Sequence, residues 1–429
     1  MSRPLGLPAA EAYVLGGILG SGVFSVLGVV VRVADGGAWL AYLLAGAVAL
    51  CTSYAYVRLN AVSDFHGGAV TLVLEHLGRP AFAGVVAWTL LTGFVGLLAT
   101  YGYAFGAYAQ SFLGVATIGG LPARPLLSVL VIAVFVAINW SGPTESGVVE
   151  TTIVGLNVVL AGAFAVAGLW HVDGSIGVAL VPAAGPSRIL VAASLAFVSL
   201  VAWQILMYDQ SRLQSPAETV EQAVLLALPV AVVGYGALSA VVVELVQRAQ
   251  VARRPELLLA FAAASFSNPV VSAVVALVAL SATAAAVNAL LFGTTLFLES
   301  LVSYRLFPDA ASDAPPEAVP RLPLVLVGAV AAAVATAGHI EAIVEFAALA
   351  FTATNGLVCF LALRAETTIL PRSVPLVGLA GSGLFVLVTL WWLSVRSVLL
   401  LAAVVALGIC VVGAELLYFD RSAAAASDA

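Results

Sequence analysis

Residues Gly16 to Phe24 read Gly-Gly-Ile-Leu-Gly-Ser-Gly-Val-Phe and lie inside an apolar segment long enough to span a bilayer. Glycines weaken a helix and let other groups approach its backbone. A helix that opens here presents N–H groups, and N–H groups at a helix start hold an anion. In hydrocarbon, opened backbone survives only where protein or a watery cavity satisfies the freed groups. The stretch therefore reads as a buried binding position. A second reading of the same residues is that Gly16 and Gly20 form a small-xxx-small contact for packing another helix.

Other side chains offer further chemistry. Ser281 and Thr283 carry hydroxyl oxygens that either ligate a cation or bond back to their own helix. Glu150, Glu299, Glu345 and Glu415 are protonation candidates by their depth, although all four fall near segment ends, where they reach water. Tyr101, Phe105 and Tyr108 recur at helical spacing beside Gly102 and Gly106. That face either lines a path or packs closely on a neighbouring helix.

Hydrolytic and metal chemistry lacks its residues. His66, His76, His171 and His339 never share a helical turn, so no His-Glu-x-x-His helix exists. A nucleophile at Ser21 or Ser382 lacks a paired His at a matching depth. All sixteen basic residues are Arg, so no phosphate loop ending in Lys can form. An enzyme is not expected, and no catalytic residue, resident metal or cofactor is assigned. Cys51, Cys359 and Cys410 fall in apolar segments without metal-ligand spacing and read as buried small apolar residues.

Composition sets the elements that must position these residues. With 62% hydrophobic and 9% charged residues, the 429-residue chain reads as an all-α polytopic membrane protein whose main solvent is lipid. A dispersed net charge of -6 argues against a nucleic-acid partner. Apolar runs of about 20 residues each number about twelve. They cover 11–32, 36–59, 81–114, 125–140, 147–170, 189–210, 223–247, 269–305, 321–338, 341–363, 374–395 and 397–418. The run Leu257 to Ser267 is too short to cross and reads as a helix over the protein's face. The short N-terminal flank with one Arg fits a retained signal anchor. With both termini cytoplasmic, nine arginines face inside and seven outside, a small bias in the required direction.

Residues 11–170 and 189–363 each hold five spans, with two more at 374–418, all in one transmembrane domain covering 1–429. Two five-span halves insert with opposite orientation, and such inverted repeats place substrate where the first helix of each half breaks. The second break is expected around Phe197 to Trp203.

Several stretches resemble the amino acid-polyamine-organocation (APC) superfamily of permeases, which use the leucine-transporter (LeuT) fold. Gly20-Ser21-Gly22-Val23-Phe24 is similar to the family's first-helix signature, and Gly67-Gly68 with Leu77-Gly78 and Trp88 resembles its Gly-Gly loop. Asn288 to Gly293, with Pro308 after it, and Arg321-Leu322-Pro323 resemble the eighth helix and the start of the ninth. The resemblance implies a 5+5 inverted repeat plus two helices in the cell membrane. It also implies a secondary transporter of amino acids, here neutral ones, working by alternating access.

By position, the resemblance implies that backbone N–H groups at Gly20, Ser21 and Gly22, with Ile18 before them, hold the substrate carboxylate. Carbonyls near Val198, Val201 and Ala202 would take the amino group, with Trp203 and Phe197 shaping the side-chain pocket or packing as ordinary aromatics. Three departures stand out. Ala202 occupies a usual glycine, Ser211 and Arg212 replace acidic residues before Ser215-Pro216, and Asn157 takes the place of a lysine found in proton-linked members. Coupling stays open between a fixed contact at Asn157, sodium held by Ser281, Thr283 and carbonyls near Gly17, and protons on the glutamates. Gln204, where some relatives carry Glu, agrees with a neutral substrate. The alternative is a non-transporting membrane sensor or accessory protein that keeps the fold. Oligomeric state has no signal in the sequence.

Overall fold

The computed structural model describes residues 6–63, 68–140, 147–171, 184–208, 210, 213–303, 306, 321–365 and 371–427. Gly67, Asp209, Ser211, Arg212 and Pro308 lie outside them. Nearly every described residue is helical, as the apolar composition requires of a chain that must satisfy its backbone within each segment.

The first span is built from α1 (Leu7–Leu15), a π-helical turn at Gly16–Ser21, α2 (Gly22–Ser25) and α3 (Leu27–Ala34). There follow α4 (Ala38–Val62), α5 (Ala69–Leu77), α6 (Pro80–Leu113), α7 (Ala123–Trp140) and α8 (Gly147–His171). Strands β1 (Thr117–Ile118) and β2 (Leu121–Pro122) form a hairpin between α6 and α7, closed by Gly119 and Gly120 at positive φ. Then come α9 (Pro186–Phe197), two 3-10 segments at Val198–Leu200 and Ala202–Tyr208, and α10 (Pro216–Leu245). A surface connection holds α11 (Arg248–Arg253), a 3-10 turn at Pro255–Leu257 and α12 (Leu258–Ser265). Finally come α13 (Pro269–Ser303), α14 (Arg321–Ala337), α15 (Ile340–Arg364), α16 (Ser373–Arg396) and α17 (Val398–Ser427).

Local chemistry explains several boundaries. Proline opens α6, α9 and α10, where its missing N–H is no loss, and left-handed Gly78 and Gly114 end α5 and α6. Among the described residues, nine helical stretches are long and apolar enough to cross a membrane. Shorter apolar helices at Gly155–Trp170, Arg321–Ala337 and Val398–Gly413 accompany them. The predicted segments thus appear in order, while the total of twelve spans depends on counting these shorter helices.

Small residues bring the helices together. Gly46 of α4 faces Val232 of α10, and Gly93 and Gly96 of α6 face Ala350 and Ala347 of α15. Gly102 and Gly106 of α6 meet Ile132 and Ser128 of α7, so the aromatic face on α6 sits beside a close helix contact. Tyr101 and Tyr108 are buried there. One group consists of α1, α4, α9 and α10, with α4 packed on both α9 and α10 and α1 on α10. A second is centred on α6, which packs against α7, α13, α14 and α15.

Ion pairs join the groups at one end of the molecule. Arg32 of α3 reaches Glu341 of α15 at 2.7 Å. Arg396 of α16 pairs with the same Glu341 and with Glu345 at 3.2 Å, and the Trp392 indole donates to Glu345 at 3.0 Å. Glu345 and Glu415 are thus buried side chains, whereas segment-end carboxylates were expected to reach water; only Glu299 is exposed. Arg396 and Trp392 of α16 cover Glu345, and Glu415 of α17 lies against Gly84 of α6. Glu150 has a side chain outside the description. The cysteines also divide, with Cys359 buried, Cys51 half-buried and Cys410 exposed on an apolar helix.

At the same end, α12 with its preceding 3-10 turn lies over the helices, as a run too short to cross must. Gly28 of α3 leaves no room for a Cβ because the Pro255 carbonyl occupies that place. Burial pushes the Glu256 carboxyl up from its ordinary range, against the opposing pull of Arg254, Arg124 and Arg32. Arg124 lies over the Tyr103 ring and donates to the Ala335 and Thr336 carbonyls, at 2.8 and 3.3 Å, closing the C-terminus of α14.

Candidate functional site

The glycine-rich stretch stays helical. Where the sequence suggests an opened helix, Gly16–Ser21 forms a widened π-turn, which frees backbone groups without breaking the rod. One freed carbonyl has a partner at long range. The Tyr235 hydroxyl of α10 donates to the Ile18 carbonyl at 2.6 Å. Tyr235 is itself held by Tyr42 of α4, whose ring stacks on it at 4.5 Å and 6°. Ile18 is fully buried.

Gly20 and Ser21 complete the π-turn, and their side-chain surroundings are outside the description. Gly22 starts α2 and is buried. A Cβ at Gly22 would overlap the Tyr235 hydroxyl and approach the Ser199 Cβ to 3.0 Å. The space read from sequence as room for a carboxylate is, at Gly22, filled by these two side chains. A polar aromatic has taken the position because the wide turn exposes a carbonyl needing a donor.

The second interruption falls inside the expected window. The α-helix ends at Phe197, Val198–Leu200 tightens to 3-10, Val201 sits at φ -100° and ψ 0°, and 3-10 resumes at Ala202. No glycine is needed for this path, so Ala202 is compatible with it. Val198, Val201 and Trp203 are buried and Ala202 is half-buried. Trp203 packs edge-on against Tyr56 of α4 at 5.1 Å, and Phe197 meets Phe385 of α16 at 6.2 Å. Both are core aromatics in this conformation.

The two interruptions touch. A Cβ at Gly17 would come within 3.2 Å of the Ala202 Cβ, and Gly22 faces Ser199. Beside them, Ile205 packs on Gly293 of α13. Gln204 is 1% exposed, yet neither its amide oxygen nor its amide nitrogen has a hydrogen-bond partner. This is the most polar group held at the junction without a partner. Further along, Tyr208 packs among Phe94 and Phe297, and Gly68, at φ +79°, admits the Tyr208 ring at 2.8–2.9 Å from where a Cβ would stand. The second glycine of the Gly-Gly motif is therefore required twice, by backbone conformation and by contact.

The coupling candidates separate. Asn157 of α8 accepts a hydrogen bond from Ser281 of α13 at 3.1 Å, and its amide nitrogen is buried without a partner. Ser281 also bonds back to Val278 at 3.0 Å, and Thr283 bonds back to Ala279 at 2.7 Å. The structure thus brings Asn157 to Ser281, while Thr283 follows the local pattern. Tyr235 and Tyr42 are site residues that the sequence reading does not single out, whereas Gln204 enters it only as a sign of a neutral substrate. The available signal was tyrosine between Gly234 and Gly236 in an otherwise apolar span.

Several known proteins of similar sequence carry transporter or permease names. The inner membrane transport protein YbaT of Escherichia coli K12 is 26% identical over 72% of this chain and 71% of its own length. An uncharacterized transporter of Mycobacterium tuberculosis is 26% identical over 98% of this chain and 93% of its own. The branched-chain amino acid permease BcaP of Lactococcus lactis is 24% identical over 53% of each. The amino acid permease family model matches residues 5–414, the interrupted helices and the packed helices around them alike. The chain belongs to the amino acid permease family, and it is an integral membrane transporter.

Proposed function

We propose that the protein carries a neutral, apolar amino acid across the cell membrane by alternating access, with both termini cytoplasmic. The observation that carries this reading is the meeting of two interrupted helices, the π-turn at Gly16–Ser21 and the 3-10 break at Val201, at one buried junction. Backbone N–H groups near Gly20, Ser21 and Gly22 serve the substrate carboxylate, in the manner of helix-start anion sites. Carbonyls around Val198, Val201 and Ala202 receive the ammonium. Tyr235 and Ser199 occupy the space against Gly22, so binding requires their hydroxyls to move or to join the contact.

A neutral side chain is supported by the junction's apolar residues and by Gln204, which is uncharged. The branched-chain name of the Lactococcus relative agrees. In this reading the spans form a 5+5 inverted repeat with two added helices, and α1 to α4 with α9 and α10 rock against the α6-centred group. Asn157 replaces a titratable group with an amide bonded to Ser281. We infer that no proton moves at this position and that Ser281 is a tie between helices before it is a cation ligand.

The test is counterflow of radiolabelled amino acids into proteoliposomes of the purified protein, with and without imposed sodium and proton gradients. Saturable counterflow of leucine, valine or alanine supports the reading. No transport of any amino acid, in vesicles holding demonstrably folded protein, would reject it in favour of a sensor or accessory role.

A further inference from the structure

A cavity of about 250 Å³ opens between α8 and α13, with its inner end at the residues just after the π-turn. Every residue lining it is apolar. Its rim is exposed, with Val270 at 66% and Val274 at 40%, and Ala163 across from them on α8. Its floor is deep, with Val23, Leu238 and Leu259 all buried. It is a slot running from the outer surface of the helices to the residues that follow Gly22.

Its shape selects the occupant. Along α13 the slot extends from Val270, one residue after the helix starts at Pro269, to Val278. Eight residues of helix rise about 12 Å, close to one leaflet's share of a hydrocarbon core roughly 30 Å thick. The slot therefore begins near a membrane surface and descends parallel to the lipid tails. A transmembrane helix is about 10 Å across and cannot enter a space of this volume. A polar solute would find no hydrogen-bonding group to orient it. Water gains no partner there either, and an unfilled apolar slot forfeits packing contacts on every wall.

The rim is continuous with surface already facing lipid. Val159 and Val166 on α8 and Leu277 on α13 are more than half exposed on the same helices. We propose that the slot is a binding site for one acyl chain of a membrane phospholipid, inserted between α8 and α13 until it touches Val23 and Phe24. The chain forms a wall of the molecule behind the first helix. The lipid head group takes no part in the assignment.

The experiment reconstitutes the full-length protein in vesicles of phosphatidylcholine whose acyl chains carry a diazirine, and maps insertion by peptide mass spectrometry after irradiation. Labelling is expected at the buried floor, on Val23, Leu238 and Val278, at least about five-fold above that of buried residues elsewhere, such as Val57 and Ala331. Ala163→Phe narrows the slot from its exposed rim without touching the core. It should lower floor labelling several-fold and leave unchanged the labelling of Leu387, exposed on α16. A floor that stays unlabelled while Leu387 is labelled would overturn the proposal, whether a second copy or another part of the chain covers the slot. Floor labelling indifferent to Ala163→Phe would overturn it equally.

Discussion

At the scale of single residues, the junction depends on one hydroxyl. Tyr235→Phe keeps the stack on Tyr42 but strands the buried Ile18 carbonyl, a loss of about 1–3 kcal/mol. The expected outcome is a lower thermal midpoint in detergent with the helical content of the remaining folded protein unchanged; an unmoved midpoint would show that water replaces the donor. Gln204→Leu has the opposite sign, because it removes two buried atoms that bond to nothing and keeps nearly the same volume. Its midpoint should rise, and a fall would reveal a partner for the amide in the working protein. Gly22 was legible as a position intolerant of a side chain, but its neighbour was not. Periodicity tells which face of a helix is buried and leaves the identity of the atom across the gap to tertiary packing.

At the scale of elements, apolar runs marked the long helices to within a few residues, because in lipid each segment must satisfy its own backbone. The π-turn was not legible, since hydropathy does not record whether a carbonyl bonds four or five residues ahead. The buried carboxylates were misread for a related reason. Glu345 is near a helix end in sequence, yet Arg396 and Trp392 arrive from α16 to enclose it. Arg396→Ala leaves both Glu341 and Glu345 short of a partner, and a loss on the order of 1–3 kcal/mol is expected, since Arg396 is itself partly exposed. Glu345→Gln in the same background should recover part of it in a thermal melt.

The surface connection gives a pH signature. The Glu256 carboxyl is raised by burial, so the folded state binds its proton more tightly than the unfolded state. That contribution is full below the ordinary carboxylate range and is lost as pH rises through the raised value. Glu256→Gln should therefore stabilise the protein at neutral pH relative to wild type and converge with it below about pH 4, the unperturbed range; parallel melting curves at both pH values would sink this account.

At the scale of the molecule, the class was legible from composition, and the family from motifs spread over the first ten predicted segments. The grouping of α1, α4, α9 and α10 and that of the α6-centred set follow glycines seated against side chains that only the three-dimensional structure matches up. Gly46 finds Val232 and Gly96 finds Ala347 across long separations in the chain. A whole-protein expectation follows from Asn157, which carries no titratable proton. Counterflow in proteoliposomes should change less than about two-fold when a pH gradient is imposed, and a ten-fold stimulation, equivalent to 1.4 kcal/mol of drive, would assign proton transfer to another residue.

The π-turn also has a consequence for how this gene can change. It holds one residue more per turn than the α-helix on either side, so it behaves as an insertion already absorbed by the chain. Deleting any one residue between Gly16 and Ser21 would restore continuous α-helix and leave the hydropathy profile nearly unaltered. Because the residue removed is the one the wide turn absorbs, every residue beyond it would keep nearly the same face of the helix. Val29, Val30 and Val33 would stay packed inside and Arg32 would still face Glu341, so the deletion would silence the junction alone, by returning to the helix the carbonyl that Tyr235 now serves.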